Sequence, residues 1–264
     1  MNLEEKVLHS IELLRKYEPQ TEYYGRFSGG KDSCVIKHLS EKAGVRVSWY
    51  YSVIIDPPEL QQFIREHHPD VIWDYPDVPF FEYVAKVGMP GPWMRFCCSK
   101  FKERAGKGCF KIVGVRSAES PRRARSWNEV SATILAPILN WSDEDIWDYI
   151  ILNKIPYCKL YDEGFDRLGC VGCPLASQKS RERDFLRWPK FEKAWMNACK
   201  KLWETKALND CWVEKQQITA EFSCWQDHWY AWRSGMGEYM ERLKKERSGE
   251  IHICADNDLE RYQQ

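Results

Sequence analysis

The sequence predicts an α/β fold built on a parallel sheet, followed by a helical C-terminal region. Short runs rich in β-branched and aromatic residues alternate with amphipathic stretches in the N-terminal part of the chain. A Ser-Gly-Gly sequence separates the first of these runs from the helical pattern that follows it. Beyond Pro174, apolar residues are mixed with charges and no strand pattern is visible. Alternating strands and helices favour a parallel sheet covered on both faces.

The first four elements follow from the spacing of apolar residues. Residues 3–17 carry leucine, valine and isoleucine at helical intervals, which predicts an amphipathic helix. Residues 22–27 form a short β-prone run, and residues 34–39 show the first turns of a helix soon after it. Residues 45–55 are β-branched and aromatic enough for a buried strand. These elements predict one strand–helix–strand unit after an N-terminal helix.

The later elements continue the alternation and then change character. We predict a helix over residues 58–67 and strands over residues 70–73 and 110–115. Residues 142–151 predict a helix, because they open with the capping sequence Ser-Asp-Glu-Asp. Residues 181–248 predict a helical region whose tryptophans either fill a small core or form a stacking surface for bases.

Length and composition limit the class of protein. The chain has 264 residues, with 39 Lys and Arg balanced by 39 Asp and Glu, and 44% of its residues are hydrophobic. These values predict a globular protein, with an α/β domain over residues 1–175 and a helical region and tail over residues 176–264. No apolar stretch is long enough to cross a bilayer, and the N-terminus lacks a signal-peptide core. We therefore expect a cytoplasmic protein that does not enter a membrane.

The balanced charge conceals a strongly basic segment. Residues 95–125 contain ten basic and two acidic side chains, a net charge of +8, whereas residues 141–166 are predominantly acidic. A basic segment of this size predicts either an anion site or a set of solvated faces. Arg116 directly follows an apolar strand, where ligands bind in open α/β sheets. Arg122 and Arg123 could grip phosphate or sulfate with paired N–H donors.

The sequence Ser-Gly-Gly-Lys-Asp-Ser at residues 28–33 predicts a phosphate-binding loop. Glycines let the backbone approach an anion, and the helix that follows presents free N–H groups. A Walker A loop is the competing interpretation, since Gly25, Gly30 and Lys31 have its spacing. That motif requires Ser or Thr after the lysine to hold Mg²⁺, and this chain has Asp32. We therefore predict a nucleotide-binding loop of a different kind.

This hexapeptide resembles the PP-loop of the adenine nucleotide α-hydrolase superfamily. Arg95–Lys100, Gly114–Ser120, Leu160–Phe165 and Gly169–Pro174 resemble, in the same order, motifs of its phosphoadenosine phosphosulfate (PAPS) reductase family. The resemblance implies a Rossmann-like sheet and cleavage of ATP between its α and β phosphates. It also implies binding roles for residues of the loop, of the second strand's end and of the basic segment. These nucleotide-binding residues are Ser28, Gly29, Gly30, Lys31, Asp32, Ser33, Asp56, Arg122 and Arg123.

The resemblance further implies which residues take part in the reaction. We expect Gly29, Gly30 and Lys31 to hold the β,γ-pyrophosphate of ATP, and Mg²⁺ to bridge the phosphates with the help of Asp32. The residues expected to be catalytic are Lys31, Asp32 and Arg116.

Four of the 11 cysteines form the dense groupings Cys97-Cys98 and Cys170-x-x-Cys173. Four thiolates can hold a [4Fe–4S] cluster or zinc, and unligated thiols are a third interpretation. The arrangement resembles the cluster ligands of adenylylsulfate (APS) reductases, so we predict a [4Fe–4S] cluster. APS and PAPS reductases also carry a nucleophilic cysteine near the C-terminus in an ECGLH-like motif. Here Cys254 lacks that context, which favours an ordinary tail residue.

The intact loop and the absent ECGLH-like motif favour ATP-dependent chemistry. We expect an ATP pyrophosphatase that adenylates an acceptor, with sulfur then transferred from a cluster-bound or persulfidic donor, as in RNA thiolation or DNA phosphorothioation. Reduction of APS or PAPS to sulfite is the alternative, and a non-catalytic nucleotide-binding subunit is a third. The expected partners are ATP, a nucleic acid, a cysteine desulfurase or other sulfur donor, and a second copy of the chain in a homodimer.

Overall fold

The computed structural model describes residues 1–92, 94–206, 222, 224–235, 238, 240, 241, 244, 245 and 248. The chain divides into two compact units. The first unit joins residues 1–76 with residues 98–170, and the second joins residues 77–97 with the described residues from 171 onward. No sequence pattern indicated that residues 77–97 belong with the C-terminal part. The predicted tail, including Cys254, lies outside the described residues.

The first unit contains a five-stranded parallel sheet in the order β3-β2-β1-β4-β5. Its strands are β1 (Tyr23–Arg26), β2 (Val47–Ser52), β3 (Ile72–Asp74), β4 (Lys111–Ile112) and β5 (Ile134–Leu135). The predicted α/β class with a parallel sheet is therefore confirmed. The predicted strand over residues 110–115 is shorter than expected, and β5 was not predicted.

Nine helices can be assigned among the described residues. They are α1 (Leu3–Lys16), α2 (Lys31–Ala43), α3 (Pro58–His67), α4 (Phe80–Val87), α5 (Pro121–Ser126), α6 (Asp143–Asn153), α7 (Gln178–Arg187), α8 (Pro189–Lys206) and α9 (Trp225–Ser234). Short 3-10 turns occur at Ser117–Glu119 and Lys159–Tyr161, and one π-helical turn at Cys98–Lys102. The predicted helices over residues 3–17, 58–67 and 142–151 are confirmed within one or two residues. Helix α4 was not predicted.

The strand order places a ligand crevice at one position in the first unit. From β1 the chain proceeds outward through β2 to β3, and then returns to the other side of β1 to form β4 and β5. Loops after β1 and β4 therefore diverge at the carboxyl ends of two adjacent parallel strands. Open α/β sheets bind ligands at such a switch point. The glycine loop follows β1 and Arg116 follows β4, so both predicted features lie at the switch point.

The second unit is helical where it is described. Helices α4, α7 and α9 all pack on α8. Trp195 of α8 is 1% exposed and lies edge-on to Phe80 and Phe81, with ring centroids 5.2 and 5.4 Å away. Its indole nitrogen donates to the Val171 carbonyl at 3.1 Å. Trp195 and the buried Trp229 thus fill a core, in agreement with the first of the two predicted roles for the tryptophans. No helix in the described ranges is both long and apolar enough to cross a membrane.

Candidate functional site

The glycine loop is held in a shape that only glycine permits. Gly29 has a φ of +72°, and a Cβ at this position would lie 2.8 Å from the side chains of Leu60 and Ile64 on α3. Gly30 is the N-cap of α2, and it has no side chain to satisfy the first N–H groups of the helix. Those groups and the helix dipole therefore remain suited to an anion, because capping side chains normally occupy this position.

Hydroxyl groups support the loop from inside. The Ser33 hydroxyl donates to the Gly30 carbonyl at 2.7 Å, and the Ser28 hydroxyl donates to the Ser33 hydroxyl at 3.3 Å. From the 3-10 turn after α6, the Tyr161 hydroxyl accepts the Lys31 backbone N–H at 3.0 Å. The predicted loop residues are therefore joined in one network, to which the sequence analysis had not assigned Tyr161.

The Lys31 side chain is nearly buried, with 6% of the residue exposed. Its ammonium nitrogen lies 3.2 Å from the Asp143 carboxylate and donates to the Asp166 carbonyl at 3.3 Å. The aromatic rings of Trp147 and Tyr161 flank it, with centroids 5.8 and 5.4 Å from the nitrogen. Ring faces attract a cation. The lysine is consequently fixed at the start of α2 rather than extended into solvent.

Arg116 is the second cation of the site and is 4% exposed. Its Nε donates to the Asp32 carboxylate at 2.5 Å, and a terminal nitrogen donates to the Asp143 carboxylate at 2.8 Å. The backbone permits this approach at Gly114, where a Cβ would lie 3.3 Å from Asp32. The structure thus unites the three residues predicted to be catalytic, Lys31, Asp32 and Arg116, and adds Asp143 between the two cations.

The pKa values of the two carboxylates in this network, Asp32 and Asp143, are shifted in opposite directions. Burial raises the pKa of Asp32 above its usual value, although Arg116 and Lys31 act to lower it. Partial burial also acts to raise the pKa of Asp143, but hydrogen bonds from Lys31 and Arg116 outweigh it and lower that pKa overall. Burial by itself would lower the pKa of Arg116, whereas its two acidic partners raise it. Asp143 is therefore the more firmly ionised carboxylate.

Asp56 lies just beyond β2 and is 4% exposed. The Tyr51 hydroxyl donates to one carboxylate oxygen at 2.8 Å, while the other oxygen is buried with no hydrogen-bond partner in the described structure. Burial and the Asp56 charge together raise the pKa of Tyr51. A buried acceptor without a partner suits a ligand donor, so the predicted nucleotide role of Asp56 is retained as a prediction.

The arginines of α5 are arranged differently from Arg116. Arg123 forms an ion pair with Glu119 one turn earlier and is partly buried. Arg122 is exposed on the same short helix. Among the described residues, neither side chain forms a hydrogen bond or ion pair with the glycine loop, so their binding of phosphate or sulfate stays a prediction.

The four predicted metal ligands are divided between the two units. Cys98 and Cys170 belong to the first unit, and Cys97 and Cys173 to the second. Cys97 is buried and the other three are partly exposed. Across the described ranges, no group of three or more His, Cys, Asp or Glu side chains is arranged to hold a metal ion. The four-cysteine site therefore remains a sequence-based prediction.

No sequence pattern predicted a role in the site for Asp143, Trp147 or Tyr161. Asp143 was visible only as part of a helix-capping sequence, and Tyr161 only within a stretch that resembles a family motif. Their sequence distances from Lys31 exceed one hundred residues, and nothing local indicates that they meet it. Only the return of the chain past β4 brings them to the loop.

A family model matches a segment of the chain that includes residues of this site. Residues 97–176 match the model of the phosphoadenosine phosphosulfate reductase domain. The chain is PAPS reductase-like. The match covers Arg116, Asp143 and Tyr161 as well as both cysteine groupings.

The PAPS reductase-like chain also resembles curated proteins. It is 30% identical to an uncharacterised protein of Methanocaldococcus jannaschii over 212 residues, which cover 72% of this chain and 44% of that protein. It is 26% identical to adenosine 5'-phosphosulfate reductase of Staphylococcus haemolyticus, covering 51% of this chain and 61% of that enzyme. The chain thus spans about half the length of the curated relatives it matches most extensively.

Two solved structures that match the chain are a PAPS reductase and a tRNA thiolase. PAPS reductase from Candida auris matches with a TM-score of 0.47 and 20% identity, covering 64% of this chain and 93% of that one. A U34-tRNA thiolase from Methanococcus maripaludis, solved with its [4Fe–4S] cluster, matches with a TM-score of 0.43 and 12% identity, covering 77% and 79%. At these scores no residue role is transferred to the PAPS reductase-like chain.

Proposed function

We propose that this chain is an ATP pyrophosphatase that adenylates an acceptor for sulfur transfer, of the nucleic-acid thiolation or DNA phosphorothioation type. The observation that carries the proposal is the convergence of two buried cations, Lys31 and Arg116, beside the uncapped N-terminus of α2. Backbone N–H groups, a helix dipole and two fixed cations form a site complementary to a polyphosphate. The site lies where open α/β sheets bind ligands.

The proposed reaction places pyrophosphate as the leaving group at this site. The acceptor oxygen attacks the α-phosphorus of ATP, the bond from the α-phosphorus to the bridging oxygen breaks, and pyrophosphate departs with the bonding electron pair. Lys31, Arg116 and the first N–H groups of α2 stabilise the charge that develops on it. ATP enters as its magnesium complex, in which the cation neutralises part of the phosphate charge.

Sulfur transfer then consumes the adenylated acceptor. The terminal sulfur of a persulfide, supplied by a partner such as a cysteine desulfurase, bonds to the activated atom as AMP leaves. A thiol reductant supplies two electrons to cleave the resulting mixed disulfide. This leaves one sulfur on the acceptor and returns the thiol of the donor. The predicted cluster is assigned no step in this reaction. Iron analysis and the absorbance of anaerobically purified protein test that prediction separately.

Pyrophosphate release from ATP tests the proposal directly. Purified protein is incubated with ATP and Mg²⁺, alone and with RNA, DNA or a cysteine desulfurase, and pyrophosphate is measured. We expect release in at least one of these conditions and its loss, by at least about a hundredfold, in Lys31→Ala. Lys42→Ala is the matched control, because Lys42 lies at the opposite end of the same helix and bonds to Asn153. Absence of pyrophosphate in every condition contradicts the proposal.

Reduction of APS or PAPS to sulfite is the second candidate. The family match over residues 97–176 and the named reductases among the relatives favour it. Sulfite formed from APS or PAPS with a thiol reductant, without pyrophosphate release from ATP, establishes this candidate. A non-catalytic subunit is distinguished from both by ATP binding that yields neither product.

A further inference from the structure

One carboxylate of the site is placed unlike any other charged group there. Asp143 is the first residue of α6, and its side chain is 62% exposed. It nevertheless bonds to both buried cations, at 3.2 Å from the Lys31 ammonium and 2.8 Å from Arg116. The two cations have side-chain exposures of only 7% and 4%. Asp143 therefore reaches them from the solvent side, which is the side from which a phosphate must arrive.

The charges of this network cancel before any ligand binds. Lys31 and Arg116 contribute two positive charges, and Asp32 and Asp143 contribute two negative charges. Glu119, which is close enough to influence Asp32, is itself paired with Arg123. A phosphate-binding loop with no net charge offers a bare polyphosphate little electrostatic attraction, and the exposed Asp143 carboxylate repels its negative charge.

Asp32 and Asp143 differ in whether their negative charge can be removed without altering the glycine loop. Asp32 lies in the first turn of α2 and its side chain is 23% exposed. Of the two cations, it bonds to Arg116. Asp143 contacts both cations and belongs to a different helix, so its charge can be removed without altering the loop. Asparagine retains an oxygen that accepts both hydrogen bonds while losing the negative charge. Asp143 is thus the residue at which the effect of charge can be separated from that of structure.

We propose that Asp143 is a specificity-determining residue that restricts the site to metal-complexed polyphosphates. This inference rests on the proposed function and names the form of the substrate. A bare polyphosphate meets the Asp143 carboxylate on the solvent side of Lys31 and Arg116 and is repelled. The magnesium complex of the same polyphosphate carries less negative charge, and its cation shields the phosphate oxygens from the carboxylate. The residue therefore couples phosphate affinity to the divalent cation.

Binding of pyrophosphate, measured by calorimetry with excess Mg²⁺ and with excess EDTA, tests this proposal. We expect the wild type to bind magnesium pyrophosphate and to bind pyrophosphate in EDTA at least about tenfold more weakly. In Asp143→Asn we expect affinity in EDTA to rise by about tenfold, with little change when Mg²⁺ is present. The difference between the two conditions should therefore largely disappear.

Glu144→Gln is the matched control. Glu144 is the next residue of α6, is exposed and carries the same charge, and no contact joins it to either cation. This variant should retain the wild-type dependence on Mg²⁺. Equal behaviour of Asp143→Asn and Glu144→Gln overturns the inference while leaving the proposed function intact. Failure of the wild type to bind pyrophosphate even with Mg²⁺ overturns the proposed function, and the inference with it.

Discussion

The N-termini of α2 and α6 both lie in the site, yet the chain completes them in opposite ways. At α6 the Ser142 hydroxyl accepts the Asp145 N–H at 3.0 Å, and the Asp145 carboxylate accepts the Ser142 N–H at 2.6 Å. This capping box satisfies the helix with its own residues. At α2 the N-cap is Gly30, which offers no side chain, and the acceptor for the Lys31 N–H is the Tyr161 hydroxyl from a distant segment.

The difference separates a structural helix terminus from one that can bind a ligand. A side-chain cap is local and occupies the N–H groups that an anion would need. A glycine cap brings no side chain to these groups, so the Lys31 N–H depends on the distant Tyr161 hydroxyl. The loop itself is held by the packing of Leu60 and Ile64 against Gly29. Helix α6 has a closed terminus, at which Asp143 is the first residue, whereas the terminus of α2 has no side-chain cap. The following predictions test this division.

The largest expected effect is that of Gly29→Ala. The substitution places a methyl group at a φ of +72° and 2.8 Å from Leu60 and Ile64. We expect a loss of about 3 kcal/mol in the free energy of unfolding, from backbone strain and overpacking together. Pyrophosphate binding should be lost with it, because the loop must move to relieve the contact. Urea denaturation and calorimetry measure the two effects.

Gly44→Ala is the control for Gly29→Ala. Gly44 closes the other end of α2 with a φ of +70°, and a Cβ there meets nothing within 4 Å. Only the backbone term remains, so we expect a loss of about 1 kcal/mol and unchanged binding. Equal losses in the two variants would show that the packing of Leu60 and Ile64 does not hold the loop.

Much of the fold was predictable because its signals are local. Apolar periodicity located α1, a capping sequence located α6, and the glycine hexapeptide located the loop from residues adjacent in sequence. Strand β5 was missed because two residues carry no periodic pattern, and α4 because its 8 residues give little more than two turns of helical pattern. Within the site, Lys31, Asp32 and Arg116 were predicted, whereas Asp143 and Tyr161 were not. Their contacts with Lys31 depend on tertiary placement, which no local spacing encodes.

The next expected effect is that of Ser142→Ala, which opens the terminus of α6. The Asp145 N–H loses its acceptor, and we expect a loss of about 1 kcal/mol in the free energy of unfolding. Pyrophosphate affinity should change by less than about twofold, since the cap makes no contact with the cations. A larger change in affinity would mean that the cap positions Asp143 and that the two termini are not separable.

The same cap should make stability depend on pH in the acid range. Desolvation acts to raise the pKa of Asp145, but hydrogen bonds from Lys6 and Ser142 outweigh it and lower the pKa below the usual value of 3.8. A carboxylate with a lowered pKa in the folded state stabilises the fold above its unfolded-state pKa. That contribution disappears as the pH falls through the folded-state pKa. Asp145→Asn should therefore lose more stability at neutral pH than at a pH well below 3.8, as urea denaturation at each pH would reveal.

The smallest expected effect is that of Tyr161→Phe, for which we expect stability and pyrophosphate affinity to change in opposite directions. The variant keeps the ring beside the Lys31 ammonium and removes only the hydroxyl that accepts the Lys31 N–H. Stability should fall by about 0.5–1 kcal/mol, because one hydrogen bond is lost. Pyrophosphate affinity should rise by about two- to fivefold, because the N–H then has no competing acceptor. Tyr157→Phe, which removes a hydroxyl bonded to Asp162 in the same segment, should leave affinity unchanged. If affinity falls with stability in Tyr161→Phe, the hydroxyl supports the open terminus of α2 and does not compete with phosphate for it.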